Sequence, residues 1–233
     1  MNEFNEKEKS IEKKIKRRKK LSTVLTVIMI ILWLIVIPIV IYLYNSANFT
    51  SAAKPIIYIY PETQQEVTIK LGNPERLSCS YPRYDASWSV LAEPDGKLID
   101  LKTGKKLYSL YWEGRDYQNT EIEEGFCVRG EDSAEFLEEK LDILGLNYKE
   151  KEEFIIYWLP KLEKNNYNLI RFETLDEINN YMPLEINPTP DTLIRIMMKF
   201  EGRKEYKDIP QQKLEKIERK GFTVVEWGGT EIK

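Results

Sequence analysis

The 233-residue chain contains no histidine, and this absence restricts its chemistry more than any other feature of its composition. Histidine is the usual general base of serine and cysteine hydrolases and a common zinc ligand. The sequence also lacks a phosphate-cradling glycine loop, a dinucleotide-binding fingerprint and an EF-hand loop. We therefore expect no metal and no cofactor, and nucleotide and calcium binding have no support.

Cysteine is nearly absent as well, because the chain has only Cys79 and Cys127. Two cysteines at this spacing form neither a zinc site nor a Cys-x-x-Cys redox motif. In an oxidising compartment an even number of cysteines favours a disulfide, and a bond between Cys79 and Cys127 would stabilise the fold by roughly 4 kcal/mol on the loop-entropy model. Two buried free thiols are the alternative.

Charge is missing between Lys20 and Lys54, and most of this interval is apolar. Residues 21–44 would form a helix of about 36 Å at about 1.5 Å per residue, which exceeds a hydrocarbon core of about 30 Å. Tyr42 and Tyr44 lie where interfacial aromatic residues are expected. The pattern predicts one transmembrane helix over residues 21–44.

The N-terminal segment is strongly basic, with nine Lys or Arg and four Glu among residues 1–20. Positive residues beside the first apolar segment stay in the cytoplasm. We therefore predict a single-pass protein of the cell membrane with a cytoplasmic basic tail and an external C-terminal domain. A cleaved signal peptide is the alternative, although its apolar region is normally only about 7 to 15 residues long.

Beyond residue 45 the charge changes sign. Nine of the 35 basic and four of the 38 acidic residues lie before this point, which leaves 26 basic and 34 acidic residues and a net charge of −8. This charge repels the phosphate backbone of nucleic acids. We expect no nucleic-acid partner.

Small and polar residues at 45–53 predict a short tether, followed by one external domain over residues 54–233. Alternating apolar residues and turn signals predict a series of strands in this domain. These strands are expected at 56–60, 67–71, 77–81, 87–92, 97–101, 107–112, 168–173, 184–187, 192–200 and 222–227.

The middle of the domain changes to a helical period. Asp132 and Asn147 are predicted to cap two helices, the first ending at Gly145 and the second bent or ended by Pro160. Residues 209–219 form a polar connection with helical potential. The sequence predicts an α+β fold, with a mostly antiparallel sheet, a central helix pair and a preceding transmembrane helix.

Acidic side chains lie in three clusters, at 111–116, 129–132 and 226–229, and the first and the third also contain aromatic residues. Aromatic rings commonly hold the apolar faces of sugars and peptides, and acids beside them provide polar contacts. The candidate binding residues are Tyr111, Trp112, Glu113, Arg115, Glu226 and Trp227. Because aromatic residues also favour strands, we expect many of the domain's aromatic rings to be core residues instead.

A catalytic alternative uses two carboxylates for glycoside cleavage, which requires the two groups to lie about 5 to 10 Å apart. Glu113 or Glu226 would act with Asp116 or Asp132. The simpler interpretation makes Glu113 a solvated strand-end acid, Asp132 a helix cap and Glu226 an outward residue that alternates with Val225 and Trp227. Catalysis is the less favoured hypothesis.

Six segments together resemble a family of uncharacterised bacterial secreted or membrane-attached proteins. They are Lys-Pro-Ile-Ile-Tyr-Ile-Tyr-Pro at 54–61, Tyr-Trp-Glu-Gly at 111–114, Gly-Phe-Cys-Val at 125–128, Phe-Ile-Ile-Tyr-Trp-Leu-Pro at 154–160, Pro-Asp-Thr at 190–192 and Thr-Val-Val-Glu-Trp-Gly-Gly at 223–229. The resemblance implies a bacterial source, a single external domain and two cysteines that belong to the pattern. It implies no activity and no functional residue.

Taken together, these features favour a non-catalytic envelope module that binds a cell-wall glycan or an envelope protein. The carboxylate-dependent glycan hydrolase is one alternative. A structural or regulatory subunit of a membrane complex, with an acidic face that meets a basic partner, is another.

Overall fold

The computed structural model describes residues 2–47, 50–116 and 121–232, with side chains described for residues 18–41, 54–114 and 121–232. The chain divides into two compact units, Met1–Asn48 and Phe49–Lys233.

The first unit consists of one helix, α1 (Asn2–Ala47). Its segment Arg18–Ile41 has a mean hydropathy of 3.2 and is long and apolar enough to cross a membrane. The side chains of residues 18–41 are exposed, with no protein packed over them in this unit. By length and composition alone, such an N-terminal helix fits a membrane anchor or a signal sequence.

The second unit begins earlier than the sequence predicts. Strand β1 (Thr50–Tyr60) already pairs at Thr50 with Asp116 and at Ala52 with Gly114. Residues 45–47 belong to α1, so the predicted tether at 45–53 is wrong at both ends. The small residues at 51–53 suggest a linker in the sequence, but in the structure they belong to the first part of β1.

The second unit contains two sheets and three helices among the described residues. The helices are α2 (Ser133–Ile143), α3 (Tyr148–Leu162) and α4 (Leu175–Tyr181). After β1 the strands are β2 (Gln65–Leu71), β3 (Leu77–Tyr81), β4 (Trp88–Ala92), β5 (Leu98–Asp100), β6 (Lys106–Leu107), β7 (Leu110–Asp116), β8 (Phe126–Arg129), β9 (Tyr167–Phe172), β10 (Leu184–Asn187), β11 (Thr192–Arg203) and β12 (Thr223–Glu231).

The larger sheet has the strand order β3-β7-β1-β12-β11-β9-β8, and the smaller has the order β10-β2-β4-β5-β6. Strands β11 and β12 are parallel, whereas every other named pairing among the described residues is antiparallel. The predicted α+β fold with a mostly antiparallel sheet and an N-terminal apolar helix is confirmed.

Both faces of the larger sheet are covered. On one face, residues such as Ile57, Leu110 and Val224 pack against Ile69 and Val90 of the smaller sheet. On the other face, Tyr58, Val225 and Trp227 pack against Phe154 and Trp158 of α3, and α2 joins the same cluster. The second unit therefore contains its own core on both faces of the larger sheet, and we expect it to fold without α1.

Local sequence signals explain the helix ends. Asn147 and Glu150 form a reciprocal capping box at the start of α3, as predicted, and Gly145 after α2 has a φ of +83°. Pro160 lies in the last turn of α3, and the helix ends two residues later. Asp132 precedes α2 but makes no side-chain cap; its carboxylate instead accepts hydrogen bonds from Arg129 at 2.6 and 3.0 Å.

The helical potential of residues 209–219 is not realised. The segment has no helix and follows an irregular path, with a single bridge between Gly125 and Gln211. Gln212 donates to the carbonyl oxygen of Phe172 at 2.6 Å and accepts from its amide at 3.0 Å. Hydrogen bonds to neighbouring elements thus replace the bonds that a helix would make within itself.

The predicted disulfide is wrong, because Cys79 and Cys127 are both free. Cys79 lies in β3 and Cys127 in β8, which are the two opposite edges of the larger sheet. Six strand spacings of about 4.8 Å separate them, far beyond the Cα distance of about 4.4 to 6.8 Å that a disulfide requires. The alternative of buried thiols is also incomplete, since Cys79 is exposed and Cys127 half-buried.

Candidate functional site

Three of the predicted binding residues lie in the interior. Trp112, Glu226 and Trp227 are each at most 1% exposed. Glu226 accepts a hydrogen bond from the indole of Trp112 at 2.7 Å and forms an ion pair with Arg195 at 2.6 Å. Because the smaller sheet covers Trp112 and Glu226, and the helices cover Trp227, these three side chains cannot present a binding surface.

The buried ion pair is part of a larger polar network between the larger sheet and the segment around α4. Arg195 also donates to the side-chain oxygen of Asn179 at 2.6 Å and to the carbonyl oxygen of Met182 at 2.8 Å. A buried charge is tolerated only when it is paired and hydrogen-bonded, and this network meets both conditions. Its role is to join β11 and β12 to the segment around α4.

Tyr111 and Glu113, the other predicted residues with described side chains, are half-buried on β7. Burial, followed by a hydrogen bond with the Glu113 carboxylate, raises the pKa of Tyr111 above its ordinary range. Cys79 lies opposite Glu113 on β3 and adds to this shift. The backbone of Arg115 belongs to β7, but its side chain and that of Asp116 lie outside the described residues.

A cluster of lysines and aromatic rings lies beside Tyr111. The Lys54 ammonium is 4.6 Å from the centre of the Tyr157 ring, and the Lys161 ammonium is 3.7 Å from the same ring. Burial lowers the pKa of Lys54, and Lys161 adds to this effect while Glu153 opposes it. Each ammonium gains a cation–π contact, so the arrangement is accounted for by interactions within the protein.

The four acids considered for glycoside cleavage do not form a pair among the described side chains. Glu226 is sealed between the sheets, whereas Glu113 lies on the opposite face of the larger sheet. Asp132 follows β8, and five strand spacings of about 4.8 Å separate β8 from β7. A shared reaction centre requires a much shorter separation.

Among the described residues, a cleft of about 910 Å³ beside the smaller sheet is a candidate ligand site. One wall is the segment between β3 and β4, and the other is the turn between β5 and β6. Its lining residues are Ser80, Tyr81, Pro82, Arg83, Tyr84, Asp85, Ala86, Ser87, Trp88, Ser89, Asp100, Lys102, Thr103 and Lys105. This volume lies within the range of about 300 to 1,000 Å³ that is typical of ligand pockets.

The first wall is held in place by its aromatic residues. Tyr84 and Trp88 pack edge to face with ring centres 4.9 Å apart, and the Trp88 indole donates to the carbonyl oxygen of Pro82 at 2.9 Å. The Tyr84 hydroxyl accepts a hydrogen bond from the amide of Leu71 and donates to the carbonyl of Ala86. Tyr81 also lines the cleft, and it is 55% exposed.

The second wall is a tight turn organised by Asp100. This buried carboxylate accepts hydrogen bonds from the Lys102 amide and the Thr103 hydroxyl, and Gly104 adopts a φ of +70°. Lys102 then reaches across the cleft to Asp85 on the first wall, at 3.1 Å. The two walls are therefore preformed and are connected by one exposed ion pair.

Sequence reasoning missed this cleft. The sequence indicated that many aromatic rings of the domain are core residues, and it did not distinguish Tyr81, Tyr84 and Trp88 from the others. The residues lie on two segments, 80–89 and 100–105, and the pairing of β4 with β5 brings these segments together. The available signal was the Pro-Arg-Tyr-Asp loop, in which charged and aromatic residues alternate beside a strand.

Comparison of the chain with protein-family models, with curated proteins and with solved structures finds no match in any of the three. The resemblance of the six segments to bacterial secreted or membrane-attached proteins therefore stays a prediction.

Proposed function

We propose that the protein is a single-pass protein of the cell membrane whose external domain is a non-catalytic module that binds a cell-wall glycan. The observation that carries the proposal is the cleft, whose lining residues include Tyr81, which is 55% exposed. Sugars stack their apolar faces on such rings and hydrogen-bond to polar groups around them.

The apolar segment of α1 and the nine basic residues before it support the external location of the domain. A free thiol provides a probe of this orientation. In intact cells treated with a mild impermeant reductant, an impermeant maleimide should label Cys79, which is exposed. The Cys79→Ser variant should lose most of the label, since Cys127 is half-buried. Labelling that requires cell lysis would refute the orientation.

Wall binding is tested with residues 49–233, which form the second unit. The wild-type unit should co-sediment with purified cell-wall material, and Tyr81→Ala should weaken this binding about two- to tenfold, because stacking on one ring contributes about 0.5 to 1.5 kcal/mol. Tyr148→Ala is the matched control, since Tyr148 is 81% exposed and lies on α3, outside the cleft lining.

The two outcomes separate glycan binding from its main alternative. Equal binding by Tyr81→Ala and wild type would show that the cleft is not the site. If the wild type ignores wall material and instead captures an envelope protein, the domain is an interaction subunit, and the acidic charge of the domain is then the feature that a basic partner would meet.

A further inference from the structure

The cleft carries a charge opposite to that of the domain around it. Beyond residue 45 the chain has a net charge of −8, yet the cleft lining contains three basic residues, Arg83, Lys102 and Lys105, and two acidic ones, Asp85 and Asp100. Three of the five charged residues in the lining are therefore basic, whereas acidic residues outnumber basic ones beyond residue 45 as a whole. The partners of each of these five charged side chains show which of them could bind a ligand.

Both acidic groups are already committed within the protein. The Asp100 carboxylate accepts from the Lys102 amide and the Thr103 hydroxyl inside its own turn, and the residue is 6% exposed. The Asp85 carboxylate pairs with the Lys102 ammonium at 3.1 Å. Neither acid is therefore available to neutralise the remaining basic residues of the lining.

Arg83 and Lys105 are those remaining residues. Both are exposed, and within the part of the chain whose side chains are described neither forms an ion pair. They come from opposite walls of the cleft, since Arg83 precedes β4 and Lys105 follows β5. A guanidinium group binds oxyanions through paired N–H groups, and an ammonium provides a second point charge.

From this arrangement we propose that the ligand of the cleft is an anionic glycan or polyol polymer, whose phosphate or carboxylate groups pair with Arg83 and Lys105. Tyr81 of the same lining provides the aromatic contact for a sugar or polyol unit. The inference rests on the proposed function and specifies the ligand class of the same cleft. Lys102 is not counted among these contacts, because its ammonium is paired with Asp85, which competes with the ligand for it.

Because Asp85 competes with the ligand for Lys102, a variant that removes the Asp85 charge should bind the ligand more tightly. Asp85→Asn should free Lys102 and tighten binding about two- to fivefold, which is the scale of one exposed ion pair. Arg83→Gln with Lys105→Gln should weaken binding at least about tenfold, since two charge-assisted contacts are lost. The Asp85→Asn variant is the sharper test, because damage to the fold cannot increase affinity.

The experiment measures equilibrium binding of residues 49–233 to end-labelled polymers by fluorescence anisotropy. This unit omits the nine basic residues of the N-terminal segment, which would bind any polyanion. The probes are poly(glycerol phosphate), polygalacturonate and neutral dextran. The first two distinguish phosphate from carboxylate as the source of the anion, and dextran reports binding without charge.

Matched controls change the net charge equally outside the cleft. Lys213→Gln with Lys216→Gln removes two exposed charges, and Asp208→Asn removes one exposed acid, all three in residues 208–216 and outside the cleft lining. The proposal predicts that these controls leave affinity within about twofold of wild type. Thermal unfolding of every variant verifies that the fold is retained.

Preference for either anionic polymer over dextran, lost in the Arg83 and Lys105 variant and enhanced in Asp85→Asn, supports the inference. Equal binding of all three polymers, or equal effects of cleft and control substitutions, overturns it. If the unit still sediments with wall material in that case, and Tyr81→Ala prevents it, the proposed function stands and only the ligand class is wrong. Failure to sediment with wall material refutes the function itself.

Discussion

Replacing Glu226 by alanine is expected to lower the free energy of unfolding of residues 49–233 by about 3 to 5 kcal/mol, because it leaves a buried cation without its partner. The side chains of Glu226 and Arg195 are both fully buried and lie 2.6 Å apart. The Trp112 indole loses its hydrogen-bond acceptor in the same variant. Urea denaturation followed by tryptophan fluorescence measures the change.

Two further variants identify the cause of this loss. Glu226→Gln keeps an acceptor for Trp112 and removes only the charge, so it should be less damaging than Glu226→Ala. The double variant Arg195→Met with Glu226→Leu removes both charges, and we expect it to be more stable than Glu226→Ala alone, since replacing a buried pair with apolar groups is often close to neutral.

The matched control is the exposed pair of Lys70 and Glu185, whose side chains are 53% and 70% exposed at a separation of 3.1 Å. Glu185→Ala should cost less than about 1 kcal/mol, because exposed ion pairs contribute little. Equal costs for Glu185→Ala and Glu226→Ala would contradict the burial of the network.

Raising the pH above 10 is expected to destabilise the domain steeply through Tyr58. Burial, together with a hydrogen bond donated to Glu153 at 2.6 Å, raises the pKa of Tyr58 far above its ordinary value of 10.0. The folded state therefore retains a proton that the unfolded state loses. Stability is complete below pH 10 and then falls by about 1.4 kcal/mol per pH unit from this group alone.

The Tyr58→Phe variant tests this slope. It removes the ionisable hydroxyl and keeps the ring, so it should lose about 1 kcal/mol at neutral pH but show a shallower decline above pH 10. Urea denaturation at a series of pH values measures the slope. Tyr206→Phe is the control, because Tyr206 is 61% exposed. The account is wrong if Tyr58→Phe and Tyr206→Phe decline in parallel with wild type.

Many of the strands could be predicted from the sequence because turn residues separate short apolar runs. Strands β2, β3, β4 and β10 lie within or close to their predicted ranges. Helix α3 was equally accessible, since its capping box is encoded by Asn147 and Glu150. Helix α4 was missed, although Thr174 and Glu177 form the same kind of capping box. Turns and helix caps depend on residues that are close together in the sequence, so local sequence patterns can predict them.

The candidate site was harder to predict from the sequence. Alternation along a strand indicates which residues share a face, but it does not indicate what covers that face. Glu226 alternates with Val225 and Trp227, which suggested an outward acid, yet a second sheet covers it. Local signals in β12 were weak, because its apolar residues Val224, Val225 and Trp227 are mixed with Thr, Glu and Gly, although every residue of the strand except Glu231 is buried.

The disulfide prediction failed for a related reason. Compartment and cysteine count favour a bond, but the order of strands decides whether two cysteines can meet. Cys79 and Cys127 occupy the outermost strands of a seven-stranded sheet. That order follows from long-range pairing, such as β1 with β12, that connects the two ends of the domain.

Hydrogen exchange of residues 49–233 with and without purified wall polymer tests the central claim most directly, since it locates the bound ligand without a substitution. The account predicts slower exchange in residues 82–87 and 101–105, the two walls of the cleft, and unchanged exchange in α2. Slower exchange confined to the helical face, or no change anywhere while the polymer is bound, would contradict it.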